Sequence, residues 1–439
     1  MASWRKLIGA LKCFGYEKWL NSSFKSIRAI AGGRISASSQ PPPCRSDATV
    51  YADHAQVEFD VRGRPYHHRS FFLETVALKP YRFLGAAIAA LLASLSVAPA
   101  VAGPIQPFLD QLVKKEKLPG SVLLISGPQG RQIAVSGVAN LKTKEPVTAD
   151  TRFYIASSGK LITSAATLQM VQEKRLKLDE PVFNWVKGVK GIDKLRNIRA
   201  VTVEQLLKHR SGLAEYYSDE FEAEAAAKPQ KRWSADESLA FAFGEKAQSK
   251  PDVEHNYTNT NFVLLGRIME EVDQTSYANA VQRRFFTPLG MAASSIGAPK
   301  ETAGLAHGYA LNERNRLEDV SYSGWSAITG DGAVVTTVAN YEAFLLALFR
   351  DSKILPAKTV AQMCRPQREE PDSGYGLGCA NEDTPWGESW GHNGSIPGFN
   401  ADTWFIPKLG VTVVFFTNGD YQSDDPDVVV KAVKAYLKK

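Results

Sequence analysis

Ser157 and Lys160 stand three apart in Ser157-Ser158-Gly159-Lys160, and on a helix side chains at that spacing share a face, so the amine can reach the hydroxyl. A serine hydroxyl is a weak nucleophile until a neighbouring base takes its proton, and a lysine serves if its charged form is destabilised. The tetrapeptide alone says little, because Ser22-Ser23-Phe24-Lys25 has the same spacing. Context separates the two. Ser157 follows a predicted strand, Arg152 to Ile155, and opens an apolar helix, Leu161 to Val171, whose first turn offers unpaired N–H groups where an oxyanion would develop. A lysine in that turn opposes the helix dipole by about 0.3–1 kcal/mol. A solvated surface lysine leaves that choice unexplained.

Tyr257-Thr258-Asn259 is a second candidate, and Tyr277-Ala278-Asn279 matches the same pattern. Tyr277 begins an amphipathic helix running to Phe286, where a tyrosine is most simply a packing residue. Tyr257 instead follows the Pro251-Asp252 turn and precedes a helix that Thr260 or Asn261 could cap. A phenol with a reference pKa near 10 needs a cation such as Lys160 beside it to act as a base. The third candidate, Gly391-His392-Asn393-Gly394-Ser395, lies just before Pro397-Gly398 and a terminal hairpin. Gly394 there would let a substrate backbone approach closely, and strand N–H groups beyond it could bind a carbonyl oxygen. Gly387-Glu388-Ser389-Trp390-Gly391 has the spacing of a nucleophile elbow, but strands rather than a helix follow it and no histidine lies beyond His392.

These residues need elements to hold them. An amphipathic helix carries Ile105, Phe108, Leu109, Leu112 and Val113 on one face, followed by predicted strands Ser121 to Ser126 and Gln132 to Val138. At the far end Thr403 to Ile406 and Val411 to Thr417 read as a hairpin, and Asp427 to Leu437 as a closing helix. Between them the period is helical: Leu161 to Val171, Val203 to Leu207, Ala235 to Phe243, Phe262 to Val272 and Tyr277 to Phe286. The expected fold is α+β: an antiparallel sheet flanked by N- and C-terminal helices, with an inserted all-helical lobe. The sheet lobe would take about 103–159 and 300–439, and the helical lobe about 160–299. Substrate would bind between the lobes, with residues 214–250 on the rim.

The 439 residues carry 52 Lys+Arg against 46 Asp+Glu, a net charge of +6. Residues 1–102 hold 13 of the basic and 6 of the acidic residues, so the body from Gly103 on is near neutral. A nucleic-acid partner is therefore not expected. The cysteines, Cys13, Cys44, Cys364 and Cys379, form no Cys-x-x-Cys, the seven histidines show no ligand spacing, and neither metal nor cofactor is expected. Phe83 to Val101 is apolar and uncharged, follows Lys79 and Arg82 and ends in small residues, the layout of a signal peptide cleaved after Ala102. A membrane anchor over 83–102 is the alternative. Because some eighty residues precede it, we expect translation to start near Val76, with residues 1–75 forming no domain and residues 76–102 the export signal.

The three motifs, in this order, resemble the serine β-lactamase-like family of class C β-lactamases, D-alanyl-D-alanine carboxypeptidases, D-aminopeptidases and related esterases. Ile155 to Val182, Val201 to Leu213 (VTVEQLLKHRSGL), Tyr257 to Gly266 (YTNTNFVLLG), Pro288 to Met291 and Gly391 to Phe399 (GHNGSIPGF) all look like that family's signature segments. The likeness covers Gly103 to Lys439. It implies that Ser157 forms an acyl-enzyme, that Lys160 and Tyr257 handle the proton, and that Asn259 hydrogen-bonds Lys160 or the substrate amide. It also implies an oxyanion hole made by the N–H groups of Ser157 and Ser395, with His392, Asn393, Gly394 and Ser395 lining the substrate site. Lysine or tyrosine could be the formal base.

Class C β-lactamases carry lysine where His392 stands, and a mostly neutral histidine should hold a substrate carboxylate less well. The resemblance thus points to a hydrolase of a D-alanyl-type peptide or small ester, and the signal-peptide layout to a periplasmic or secreted one. A true β-lactamase is the alternative within the family, and a penicillin-binding-like sensor that is acylated without turnover the alternative outside enzymes. Where the family commonly has Pro-Gly before the tyrosine, Pro251-Asp252 should alter the turn type. His209 is read as structural. Cys364 and Cys379 would form a disulfide in an oxidising compartment, or stand as two free thiols. Oligomeric state is not legible.

Overall fold

Val411-Thr412-Val413-Val414-Phe415-Phe416-Thr417 and Ser121-Val122-Leu123-Leu124-Ile125 are runs of β-branched and large apolar residues without alternation, as expected of strands covered on both faces. They lie side by side: β1 (Gly120–Gly127) pairs antiparallel with the last strand, Val411–Thr417, joining the two ends of the chain. The computed structural model describes residues 103–229, 231–298, 302–321, 330–370, 373–420 and 428–438. The export signal, the proposed start near Val76 and Asp427 lie outside the described residues.

After β1 come β2 (Gly130–Asn140), β3 (Glu145–Pro146), β4 (Phe153–Tyr154), β5 (Ser295–Ile296), β6 (Tyr309–Leu311), β7 (Leu317–Asp319) and β8 (Val334–Thr336). The C-terminal strands are β9 (Gln367–Glu370), β10 (Ser373–Tyr375), β11 (Ala380–Thr384), β12 (Gly387–Ile396), β13 (Phe399–Ile406) and β14 (Val411–Thr417). Nine of them form one antiparallel sheet in the order β3-β2-β1-β14-β13-β12-β11-β10-β9. The expected sheet built from both ends is therefore present. The strand expected over 152–155 is present as β4; its pairing with β8 and β5, and the β6-β7 pair, were not anticipated, because two- and three-residue strands have too little length to show a period.

The helices that frame the sheet and the site are α1 (Ile105–Glu116), α2 (Lys160–Gln172), α3 (Asn259–Asp273), α4 (Val338–Leu345) and α5 (Val428–Leu437). On one face of the sheet α1 and α5 bury Ile105, Leu109, Leu112, Ala432, Val433 and Tyr436 against Leu123, Ile125, Val413 and Phe415. The alternate residues Val122, Leu124, Val414 and Phe416 face the opposite way, into the larger core shared with α2, α3 and α4. α2 is buried nearly all round, from Lys160 to Leu168, so its sequence reads as apolar rather than striped.

Two predicted helices are shorter or less regular than their periods suggest. Ala235–Leu239 gives way to a 3-10 turn, and Tyr277–Val281 continues as a π turn over Gln282–Phe286. That π turn presents Arg283 and Arg284 to Asp273, the last residue of α3, which Arg175 reaches from the other side. Burial works to raise the Asp273 carboxyl, but Arg284, Arg175 and Arg283 outweigh it and hold it at about 2.

A group depressed in the folded state contributes stability above its unfolded pKa, near 3.9, and loses it as the pH falls toward the folded value. Asp273→Asn should therefore cost about 2–3 kcal/mol at pH 7, measured by urea unfolding, because the removed charge leaves three guanidinium groups facing one another. The difference from wild type should shrink between about pH 4 and pH 2. An unchanged midpoint at pH 7 would show that solvent screens the cluster.

Candidate active site

Ser157 sits in the 3-10 turn Ala156–Gly159, which runs directly into α2. Its neighbour Ala156 takes a left-handed φ of 47°, a strained conformation for a residue with a Cβ, at the point where β4 bends into the turn. Lys160 is fully buried, and its Nζ donates to Ser157 Oγ at 2.9 Å, to Asn259 Oδ1 at 2.7 Å and to the Asp331 carbonyl at 2.8 Å. Burial lowers its pKa from 10.5 to about 8, while the carboxylates of Asp331 and Glu215 pull the other way. About one lysine in ten is then neutral at pH 7, against fewer than one in a thousand for an exposed one.

Tyr257 lies beside this pair, with Lys160 Nζ 5.2 Å from its ring centroid. Burial drives its phenol well above the ordinary value; a hydrogen bond with Ser157 works against that, and the charges of Glu215 and Asp331 add to it. Neutral lysine is thus far more accessible than tyrosinate. The loop is set by His209, on which Tyr257 stacks at 4.1 Å between centroids and 29°. His209 Nδ1 receives the Thr258 N–H at 3.2 Å, and its carbonyl accepts from Asn256 N at 2.8 Å. Its ring is fully buried and its pKa is well below normal, first through burial and then through repulsion from His255, Lys160 and His392. Its structural reading agrees with this geometry. In the Pro251-Asp252 turn Asp252 adopts a φ of 64°, so the turn keeps the left-handed residue a glycine would supply, and Arg210 Nε holds the carboxylate at 2.8 Å.

α3 begins at Asn259, earlier than expected, and neither Thr260 nor Asn261 caps it. The Thr260 hydroxyl donates to the Ala214 carbonyl, and Asn261 is held between Ser211 and His209. The N–H of Asn259 goes to Glu215 Oε2 at 2.7 Å instead, so a carboxylate from another segment satisfies the helix start.

β12 closes the site. β11 pairs with it only as far as Gly391, leaving the 392–396 edge against the Ser157 turn, while β13 pairs with its other edge through Ile396. A Cβ on Gly394 would lie 2.2 Å from the Ile155 carbonyl oxygen and 2.9 Å from Ser157 N, so only glycine allows this approach. Ser158 Oγ donates to the His392 carbonyl at 2.9 Å, tying turn to strand. The His392 ring is 3% exposed, with Nδ1 against the Asn393 carbonyl and Nε2 3.0 Å from the Tyr375 hydroxyl. Burial first, then the Lys160 charge, hold its pKa at about 3, so it is neutral at working pH. Asn393 and Ser395 alternate to the exposed side, so backbone is what they offer along this edge.

Ser157, Lys160, Tyr257, Asn259, His392 and Gly394 thus come together, while Asn393 and Ser395 flank Gly394 with their side chains exposed. The decoys do not: Tyr277 is buried and bonds Thr163, and Ser389 lies inside β12 with its hydroxyl on the Glu382 carbonyl. Cys364 and Cys379 stand as free, buried thiols, the second of the two expected arrangements. Among the described residues no group of three or more His, Cys, Asp or Glu could hold a metal ion.

Sequence reasoning missed Glu215, Asp331 and Tyr375. Asp331 lies between Gly330 and Gly332, and Tyr375 between Gly374 and Gly376, a flanking pattern that marks close backbone approach. Glu215 carried no comparable signal among the mixed charges that follow it.

A serine bonded to a buried lysine of lowered pKa, with a tyrosine beside them and a strand edge opposite, is an arrangement for acyl transfer. The family model described as beta-lactamase matches residues 105–436. The chain belongs to the beta-lactamase family of serine hydrolases. Penicillin-binding protein 4 of Amycolatopsis lactamdurans is 27% identical over 336 residues, covering 72% of this chain and 84% of that one. Among solved structures, the D-stereospecific amidohydrolase from Streptomyces sp. matches with a TM-score of 0.65 and 26% identity, over 74% of this chain and 96% of that one. The D-amino acid amidase from Ochrobactrum anthropi SV3, complexed with L-phenylalanine amide, matches with the same TM-score and identity over 76% and 99%. The family's fold, a mixed antiparallel sheet and helices, is the one described above.

Proposed function

We propose that this hydrolase is exported and opens an amide or ester of D-alanyl type, or a small ester, through an acyl-enzyme on Ser157. The observation that carries the reading is the 2.9 Å contact between Ser157 Oγ and a Lys160 amine brought down to a pKa of about 8. In the reaction Ser157 Oγ bonds to the carbonyl carbon as its proton passes to neutral Lys160. The N–H groups of Ser157 and Ser395 receive the oxyanion, and Tyr257 relays the proton to the departing amine or alcohol. A water then attacks the acyl-enzyme, gives its proton to Lys160, and the acid leaves with the Ser157 proton restored.

The neutral His392 supports a substrate that does not depend on a carboxylate held at this strand, and so weighs against a true class C-like β-lactamase. The names of the amidase and amidohydrolase relatives support a D-configured amide. The apolar Phe83 to Val101 supports export or an anchor there; among the described residues no helix is long and apolar enough to cross a membrane.

A fluorophosphonate should label wild type and not Ser157→Ala. A panel of a D-alanyl peptide, a D-amino acid amide, a short-chain ester and a cephalosporin should show turnover of the first three well above the last. Labelling of the wild type without turnover of any of the four would favour the sensor. Undiminished labelling of Ser157→Ala would defeat the assignment.

A further inference from the structure

Every hydrogen bond that Glu215 makes is one it accepts. Its Oε1 takes the Tyr217 N–H at 3.0 Å, and its Oε2 takes both the Asn259 N–H at 2.7 Å and the Asn259 side-chain N–H at 3.3 Å. That is the acceptor pattern of an ionised carboxylate; burial raises its pKa above the usual carboxylate value, and the Tyr217 and Asn259 N–H groups and the Lys160 charge work against that rise. An amide can turn either end toward a neighbour, and a lysine ammonium can only donate. By claiming Asn259 Nδ2, Glu215 leaves Oδ1 as the end that faces Lys160, which it meets at 2.7 Å. The segment carrying Glu215 is held in turn, because Thr260 Oγ1 donates to the Ala214 carbonyl and accepts from Tyr216 N.

We propose that Glu215 is a positioning residue for the acyl-transfer step: it orients Asn259 so that Lys160 is aimed at Ser157, and it places a carboxylate beside that lysine. The inference rests on the hydrolase reading above.

The other titratable groups around Lys160 are Asp331, Tyr257, Tyr216, His209 and His392. Asp331 is the second anion, and its carboxylate is taken by the Tyr216 hydroxyl at 2.6 Å. Tyr257 and Tyr216 are held in the phenol form by burial, and both histidines are held neutral, so none of the four supplies a compensating charge at neutral pH. Glu215 is therefore one of only two negative charges acting on Lys160 among these groups. Removing it lowers the lysine pKa and makes the base available at lower pH.

The test is the pH profile of kcat/KM on a chromogenic short-chain ester for wild type, Glu215→Gln, Glu215→Asp and Glu215→Ala, each checked for folding by thermal melting. Glu215→Gln keeps an acceptor for the Asn259 N–H and loses the charge, so its acid limb should move down by about one unit. Glu215→Asp keeps the charge with a shorter reach, so its limb should stay in place while kcat falls several-fold. Glu215→Ala loses both and should drop kcat at least about ten-fold with little change in KM. A folded Glu215→Gln whose limb coincides with wild type overturns the inference and leaves the hydrolase reading intact. A folded wild type that neither turns over the ester nor takes the fluorophosphonate overturns both.

Discussion

Lys160→Met is expected to give a folded protein whose kcat/KM on any working substrate falls about 10³–10⁴-fold. Lys160 is fully buried and makes its three hydrogen bonds entirely within the site, so methionine of similar length fills the space without offering a base. Stability should change little or rise, because burying an ammonium opposes folding and an apolar replacement does not. Lys160→Arg should not rescue activity, since a guanidinium keeps its proton at every accessible pH.

Wild-type kcat/KM should climb with pH and level off above about 8, where the lysine is mostly neutral. That limb should be missing from the residual rate of Lys160→Met. If Lys160→Met kept a tenth or more of wild-type activity with the limb intact, Tyr257 would have to be the base, despite burial holding its phenol in the protonated form.

Gly394→Ala should be nearly as damaging, for a steric reason. The added methyl would meet the Ile155 carbonyl oxygen at 2.2 Å, Ser157 N at 2.9 Å and Ser158 N at 3.0 Å, all backbone atoms that cannot rotate aside. Either β12 or the Ser157 turn must move by most of an ångström. Such a displacement at reacting groups costs about 10²-fold in rate, and overpacking at a rigid contact costs about 1–3 kcal/mol. The expected result is a kcat/KM at least about 10²-fold down, with slower fluorophosphonate labelling and a lowered melting temperature. Wild-type labelling kinetics in Gly394→Ala would mean that the strand edge does not line the reactive serine.

The sequence by itself determined which residues could do the chemistry and the layout that carries them. Ser157 before an apolar helix with a lysine in its first turn, Tyr257 after a turn, and a Gly-rich segment before a hairpin are local patterns of identity and spacing. Local patterns survive without knowledge of the fold. The same holds for β1, β14, α1 and α5, whose periods and continuous apolar runs are long enough to read.

Tertiary structure decided whatever depends on contacts across the chain. It decided that Lys160 and Tyr257 are buried, and so that lysine is the more accessible base, because desolvation is a property of the surroundings and not of the residue. It brought in Glu215 to orient Asn259, Asp331 to bond Lys160 through its carbonyl and Tyr375 to occupy His392, through contacts that span 44, 171 and 17 residues of chain. It also explained the start of α3, where a carboxylate from a distant segment does what a local cap would otherwise do. No local window of sequence contains both partners of a contact that spans 44 or 171 residues.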